Sequence, residues 1–229
     1  MDLKSKILRL SLLLNLGLVL IMLNSGLLNM IKSSNKKRIT KVEHSLFLYD
    51  RRFYNFPKKT NIVMLGDSIT QNIVWNDLLD RSDIANRGVG GNSTLDILNR
   101  LDQVYILNPQ ICFVMGGIND LTEHGSVEET FTNLEKIIED LKQHHIIPII
   151  QSTLFSRDTD DTNFKVFRLD QLLKEYCMKN SFEYLDLNSI LSKDNTLIAL
   201  YAKDQVHLND KGYQLWGKYL LPVIKKYGF

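Results

Sequence analysis

Cysteine is scarce in this 229-residue chain, which holds only Cys112 and Cys177. Cys112 lies in the apolar run ICFVM and Cys177 in a stretch with helical spacing, so each is expected to pack as a small apolar side chain. A chain of this length needs no disulfide to hold its core, and two free thiols suit a reducing compartment somewhat better than an oxidising one. No Cys/His cluster has zinc spacing, so no metal and no cofactor is expected. Phosphate-loop motifs are also missing, since GVGGNS matches neither G-x-G-x-x-G nor G-x-x-x-x-G-K-[ST]. The acidic run RDTDDTN lacks the central glycine and closing glutamate of a calcium loop and reads as a solvated loop. The chain has no internal repeat and no low-complexity tract.

An excess of basic charge is absent from most of the chain. Net charge is +2, yet residues 1 to 41 carry eight Lys/Arg against Asp2 alone, and the remaining 188 residues hold 20 basic and 25 acidic side chains. The part that would fold is mildly acidic, so a nucleic-acid partner is not expected.

The basic residues at the start flank an apolar segment. Residues 7 to 31 contain one charge, Arg9, and from Leu10 onward 22 uncharged residues follow. That length suffices to cross about 30 Å of hydrocarbon as a helix, and it exceeds the apolar core of about 7 to 15 residues usual in a signal peptide. The expectation is a retained single-span membrane anchor over 7–31, with cleavage near Asn24-Ser25-Gly26 and a buried soluble helix as the competing readings. Lys4, Lys6 and Arg9 precede the span and Lys32, Lys36, Lys37, Arg38 and Lys41 follow it, so Lys/Arg bias sets no clear orientation. An extracytoplasmic placement of the rest of the chain is expected.

The domain plan follows as 1–31 anchor, 32–60 basic connector and entry segment, and 61–229 folded domain. Short apolar runs at 61–65, 83–87, 111–115, 146–150 and 182–187 alternate with stretches of helical spacing. Ser126 and Glu129 form an S-x-x-E capping box ahead of Val127, Phe131, Leu134, Ile138 and Leu141. Residues 94–107 repeat that spacing through Leu95, Leu98, Leu101 and Tyr105. Asn209 caps a last helix with Tyr213, Trp216, Leu220 and Val223 on one stripe, and Pro222 is expected to fray or bend it. Alternating strands and helices imply right-handed crossovers and a five-stranded parallel sheet in a three-layer α/β/α sandwich.

In such a sheet ligands bind at the carboxyl ends of the strands. The segments expected there are GDSIT, NRGVGGNST, GGIND, STLFSRDTDDTN and the approach to DQVHLNDKGY. The first strand ends at Gly66-Asp67-Ser68, where Asp and Ser either cap the next helix or present a nucleophile. A serine hydroxyl needs a base to take its proton, and histidine suits that task near neutral pH. Of five histidines, His44 falls in the entry segment, His144 and His145 close a helix, and His124 follows the GGIND segment as a rim candidate. His207 has its own acid three positions earlier, and Asp204 can hold the imidazole tautomer that leaves Nε2 facing Ser68. Asn119 and the backbone N–H groups of RGVGGNST can donate to a developing oxyanion without adding charge. Tight turns and an Asn cap are the competing readings of those residues.

Gly66-Asp67-Ser68, Gly91, Gly117-Ile118-Asn119-Asp120 and Asp204-Gln205-Val206-His207 resemble, in this order, the four blocks of the SGNH hydrolase superfamily, the GDSL-type esterases and lipases. The likeness runs from residue 61 to about 226. It implies the flavodoxin-like SGNH fold, Ser68 as nucleophile, His207 as base and Asp204 as its orienting acid. It also implies an oxyanion hole from the Ser68 N–H, the Gly91 N–H and the Asn119 side chain; Gly88 and Gly90 compete with Gly91, which is chosen for its offset from Asn86. The G-x-S-x-G elbow is absent. The expected activity is hydrolysis of short acyl esters, O-acetyl groups on a carbohydrate or other polar carrier. Alternatives are a lysophospholipase or acyl-thioesterase acting on lipid esters, and an inactive glycan- or lipid-binding module.

Overall fold

The computed structural model describes residues 59–123, 125–157 and 160–229, with Asp160 described in its backbone alone. The expected span over 7–31, most of the connector and His124 lie outside the described residues. Among the described residues no helix is long and apolar enough to cross a membrane.

Five strands form one parallel sheet in the order β2-β1-β3-β4-β5: β1 Ile62–Gly66, β2 Ile84–Gly88, β3 Ile111–Val114, β4 Ile147–Gln151 and β5 Glu183–Leu185. Every residue of β1 and β3 is buried. Neighbouring residues on a strand point to opposite faces, so unbroken burial means the sheet is covered on both sides, the burial that a sequence run such as IVMLG encodes. The long helices are α6 (Val127–Gln143), α7 (Asp160–Asn180) and α9 (Asp210–Lys226). Shorter ones are α1 (Ser68–Gln71), α2 (Trp75–Leu79), α3 (Thr94–Leu98), α4 (Asp102–Tyr105), α5 (Ile118–Thr122) and α8 (Asn188–Leu191). A small hairpin, β6 (Ser192–Lys193) with β7 (Thr196–Leu197), follows α8. Helix α6 packs on α3, α7 and β4, and α9 packs on α2 and α8.

Strands begin and end within a residue or two of the expected positions, and the stripe Tyr213, Trp216, Leu220 and Val223 is buried as the spacing requires. Helix α9 runs through Pro222 to Lys226. Pro222 lies on its exposed side, where loss of one backbone bond is tolerated. Ser126 does cap α6 by accepting the Glu129 N–H at 3.0 Å, whereas the reciprocal box forms at Ser93 and Asp96.

Residues 94–107 differ from the single helix that their spacing predicts. The chain breaks at 99–101 into α3 and α4; of the expected stripe Leu101 is buried, but Leu95 stays 43% exposed, and Thr94, Ile97 and Val104 are buried beside Leu101. The break turns Arg100 inward, where it is 1% exposed. Its long-range contacts override the local repeat.

Candidate active site

Strand β1 delivers Gly66 to the carboxyl edge, and the chain turns there into α1. Asp67 is the N-cap, its Oδ1 accepting the Ile69 N–H at 2.9 Å, and Ser68 opens the helix. The capping and the nucleophile readings of GDS are therefore compatible. Asp67 caps while Ser68 presents its hydroxyl. The Tyr213 hydroxyl donates to Ile69 O at 2.8 Å and pins α1 to α9.

The second side chain arrives from 139 positions away: His207 Nε2 lies 2.9 Å from Ser68 Oγ. His207 Nδ1 lies 2.9 and 3.0 Å from the two Asp204 oxygens. The tight turn between them is closed by the N–H groups of His207 and Val206, which donate to Asp204 Oδ1 at 2.8 and 2.9 Å. Partial burial works to raise the Asp204 pKa, but these N–H groups and the His207 ring outweigh it and hold the carboxyl down at about 2. The acid is thus ionised at any working pH, which favours a ring N–H on Nδ1 and leaves Nε2 to accept. The loop after β4 braces this turn, because the Arg157 N–H donates to Gln205 O at 2.7 Å.

Three glycines competed for the oxyanion position, and their hydrogen bonds separate them. The Gly88 N–H donates to Asn86 Oδ1 at 2.8 Å and the Gly90 N–H to Gln71 Oε1 at 2.6 Å. Gly91, at φ +75°, has no such bond among the described residues. The Ser68 N–H, one of the orphan donors of a helix start, also has no partner there. Asn119, in the first turn of α5, donates one amide hydrogen to Asn92 O at 2.9 Å and keeps the other. Its neighbour Asp120 accepts from Thr94 N at 2.9 Å and from Thr94 Oγ1 at 2.7 Å, fastening α5 to the start of α3. The expected site residues Ser68, His207, Asp204, Gly91 and Asn119 thus converge on one edge of the sheet.

His144 and His145 do not join them. They precede β4 at the opposite edge, with His144 Nδ1 bonded to Asp140 O at 2.8 Å and its ring stacked on Tyr105 at 3.7 Å. Sequence reasoning missed Gln71, Asn92 and Arg100, none of which has a titratable or nucleophilic signature to find it by. Asp67 is more than a cap: fully buried, its carboxyl is pushed up to about 6 by desolvation, with the Ile69 N–H and the His207 and Arg100 charges pulling the other way. No cluster of three or more His, Cys, Asp or Glu placed to hold a metal occurs among the described residues.

Fold and side chains define a class: an α/β protein with a Ser–His–Asp chain at the carboxyl edge of a parallel sheet. Residues 64–215 match the model of the GDSL-like lipase/acylhydrolase family, and the chain belongs to that family. A solved acylhydrolase structure from Bacteroides fragilis is 27% identical, with a TM-score of 0.70, covering 78% of this chain and 95% of that one. An isoamyl acetate-hydrolyzing esterase 1 homolog of Rattus norvegicus is 24% identical over 72% of this chain and 81% of its own length. An N-acylneuraminate cytidylyltransferase of Streptococcus agalactiae is 28% identical over 77% of this chain, which spans only 42% of that relative.

Proposed function

We propose that this protein is a carboxylic ester hydrolase that removes short acyl groups, O-acetyl above all, from a carbohydrate or other polar carrier through an acyl-enzyme on Ser68. The 2.9 Å contact between Ser68 Oγ and His207 Nε2, continued to Asp204, carries this reading. As Oγ attacks the ester carbonyl, its proton passes to Nε2 and the carbonyl oxygen becomes an oxyanion. The Ser68 and Gly91 N–H groups and the free Asn119 amide hydrogen receive that charge, a donor of this kind being worth about 2.7 to 4 kcal/mol. His207 then gives the proton to the departing alcohol oxygen. Water, deprotonated by the same Nε2, releases the acid and restores Ser68.

A relative named for hydrolysing an acetate ester supports the choice of acetyl. The carbohydrate carrier has only the partial match to a relative named for cytidylyl transfer to an N-acylated sugar acid behind it. The experiment is a p-nitrophenyl ester series from acetyl to decanoyl, run on the full chain beside an O-acetylated sugar, with Ser68→Ala as the control. Acetyl should be turned over fastest and Ser68→Ala should be inert. Rates that climb towards decanoyl would establish a lipid-ester hydrolase instead, and equal inertness of both proteins on every ester would favour a glycan- or lipid-binding module.

A further inference from the structure

Among the described residues Arg100 is the largest charged side chain that is fully buried, 1% exposed, at the break between α3 and α4. We infer that it is a positioning residue for the oxyanion donors, tying the end of β1 to the glycine loop. The inference rests on the reading of Ser68, Gly91 and Asn119 given above.

Arg100 Nη2 donates to Gly66 O at 2.8 Å, two residues before Ser68. Its Nε donates to Asn92 Oδ1 at 2.7 Å, one residue after Gly91. The backbone oxygen of Asn92 accepts from Asn119 Nδ2 at 2.9 Å, and Gly66 O also accepts the Val89 N–H at 3.0 Å. One rigid guanidinium therefore links the nucleophile's strand to the loop that bears Gly91. Through Asn92 the same frame reaches Asn119.

A buried charge is expensive, and an apolar side chain would fill the space more cheaply. The planar fork supplies what an apolar residue cannot, two donors at a fixed separation aimed at two segments of chain. Its charge is partly balanced by Asp67, whose carboxyl it holds lower than burial alone would. Lysine keeps the charge but is a single ammonium on a flexible stem and cannot reproduce the fork. Displacing preorganised groups by about 1 Å can cost about 100-fold in rate, so the loss should fall on turnover and spare substrate binding.

The test compares the full-length wild type with Arg100→Lys, Asn92→Ala and the double variant on p-nitrophenyl acetate, each normalised to the sites labelled to completion by a fluorophosphonate. Asn92→Ala removes the side-chain acceptor while keeping the carbonyl that serves Asn119. Per labelled site, kcat should fall about 10- to 100-fold in each single variant. KM and the pH midpoint should stay close to wild type, and the double variant should be little worse than the poorer single. Wild-type kcat per labelled site, or losses that multiply in the double variant, would overturn the inference. If Arg100→Lys does not fold, Asn92→Ala answers the question by the same kcat and KM readout. Ser68→Ala separates the two readings. A still-active Ser68→Ala removes the proposed nucleophile itself, whereas an inert Ser68→Ala beside a normal Arg100→Lys removes only the role of Arg100.

Discussion

Replacing Asp67 by asparagine should make the protein more stable and less active, and the size of the first effect follows from the structure. Asp67 is 1% exposed, and burial lifts its pKa from 3.8 to about 6. At about 1.4 kcal/mol per pKa unit, ionising it in the folded state costs about 3 kcal/mol more than in the unfolded chain. The folded carboxyl binds its proton more tightly, so this contribution to stability is fully present below about pH 4. It is lost as pH rises to about 6 and stays lost above. An asparagine side chain at this position would keep an oxygen for the Ile69 N–H and carry no charge. The variant should therefore match the wild type at pH 4 and exceed it by up to about 3 kcal/mol at pH 7.5. Urea unfolding at several pH values measures this, with fluorescence from the buried edge-to-face pair Trp75 and Trp216 as the reporter. Activity should move the other way, because the anionic carboxyl favours the imidazolium that His207 becomes. A stability difference that does not vary between pH 4 and 7.5, or a variant weaker than wild type at pH 7.5, would refute the reasoning.

Two further outcomes can be checked with simple variants. Asp204→Asn keeps the shape of the His207 turn but removes the anion that fixes the ring tautomer. It should lower kcat by about 10²- to 10⁴-fold with the circular dichroism spectrum unchanged, and a loss under tenfold would count against Asp204 as the orienting acid. Gly88→Ala would place a Cβ 2.3 Å from Gln71 N and 2.6 Å from Thr70 C, both backbone atoms, so α1 could not stay seated on β2. It should yield little soluble protein, and a folded, active Gly88→Ala would show that this approach is less tight than the structure has it.

Much of the fold was readable from local pattern. IVMLG, ICFVM and IIPII are short apolar runs, and each supplied a strand of the sheet, buried throughout in the first two and from Pro148 onward in the third. The Tyr213, Trp216, Leu220 and Val223 repeat became the buried face of α9. Ser68 and the Asp204–His207 pair carry recognisable chemistry over one to four residues, so they could be proposed without knowing what lay beside them.

The remainder depended on groups far apart in the chain. That Gly91 and not Gly88 or Gly90 has an uncommitted N–H was decided by Asn86 and Gln71. Residues 94–107 show helical spacing throughout, yet two acceptors, Gly66 O and Asn92 Oδ1, draw Arg100 inward and break the helix. Asp67 looks like any helix cap until the fold buries it within reach of the Arg100, Asp120 and His207 charges. Apolar spacing and turn residues act through neighbours within a few positions, so the sequence alone determined the strands, the helices α6 and α9 and the identity of the reactive side chains. It did not give the start of α7, where part of the run RDTDDTN, read as a solvated loop, forms the first turn and Asn163 is buried, accepting the Ser156 N–H at 2.8 Å. Desolvation and hydrogen-bond partnership act across space, and only the packed chain decided which N–H is free, which charge is buried and which pKa is moved.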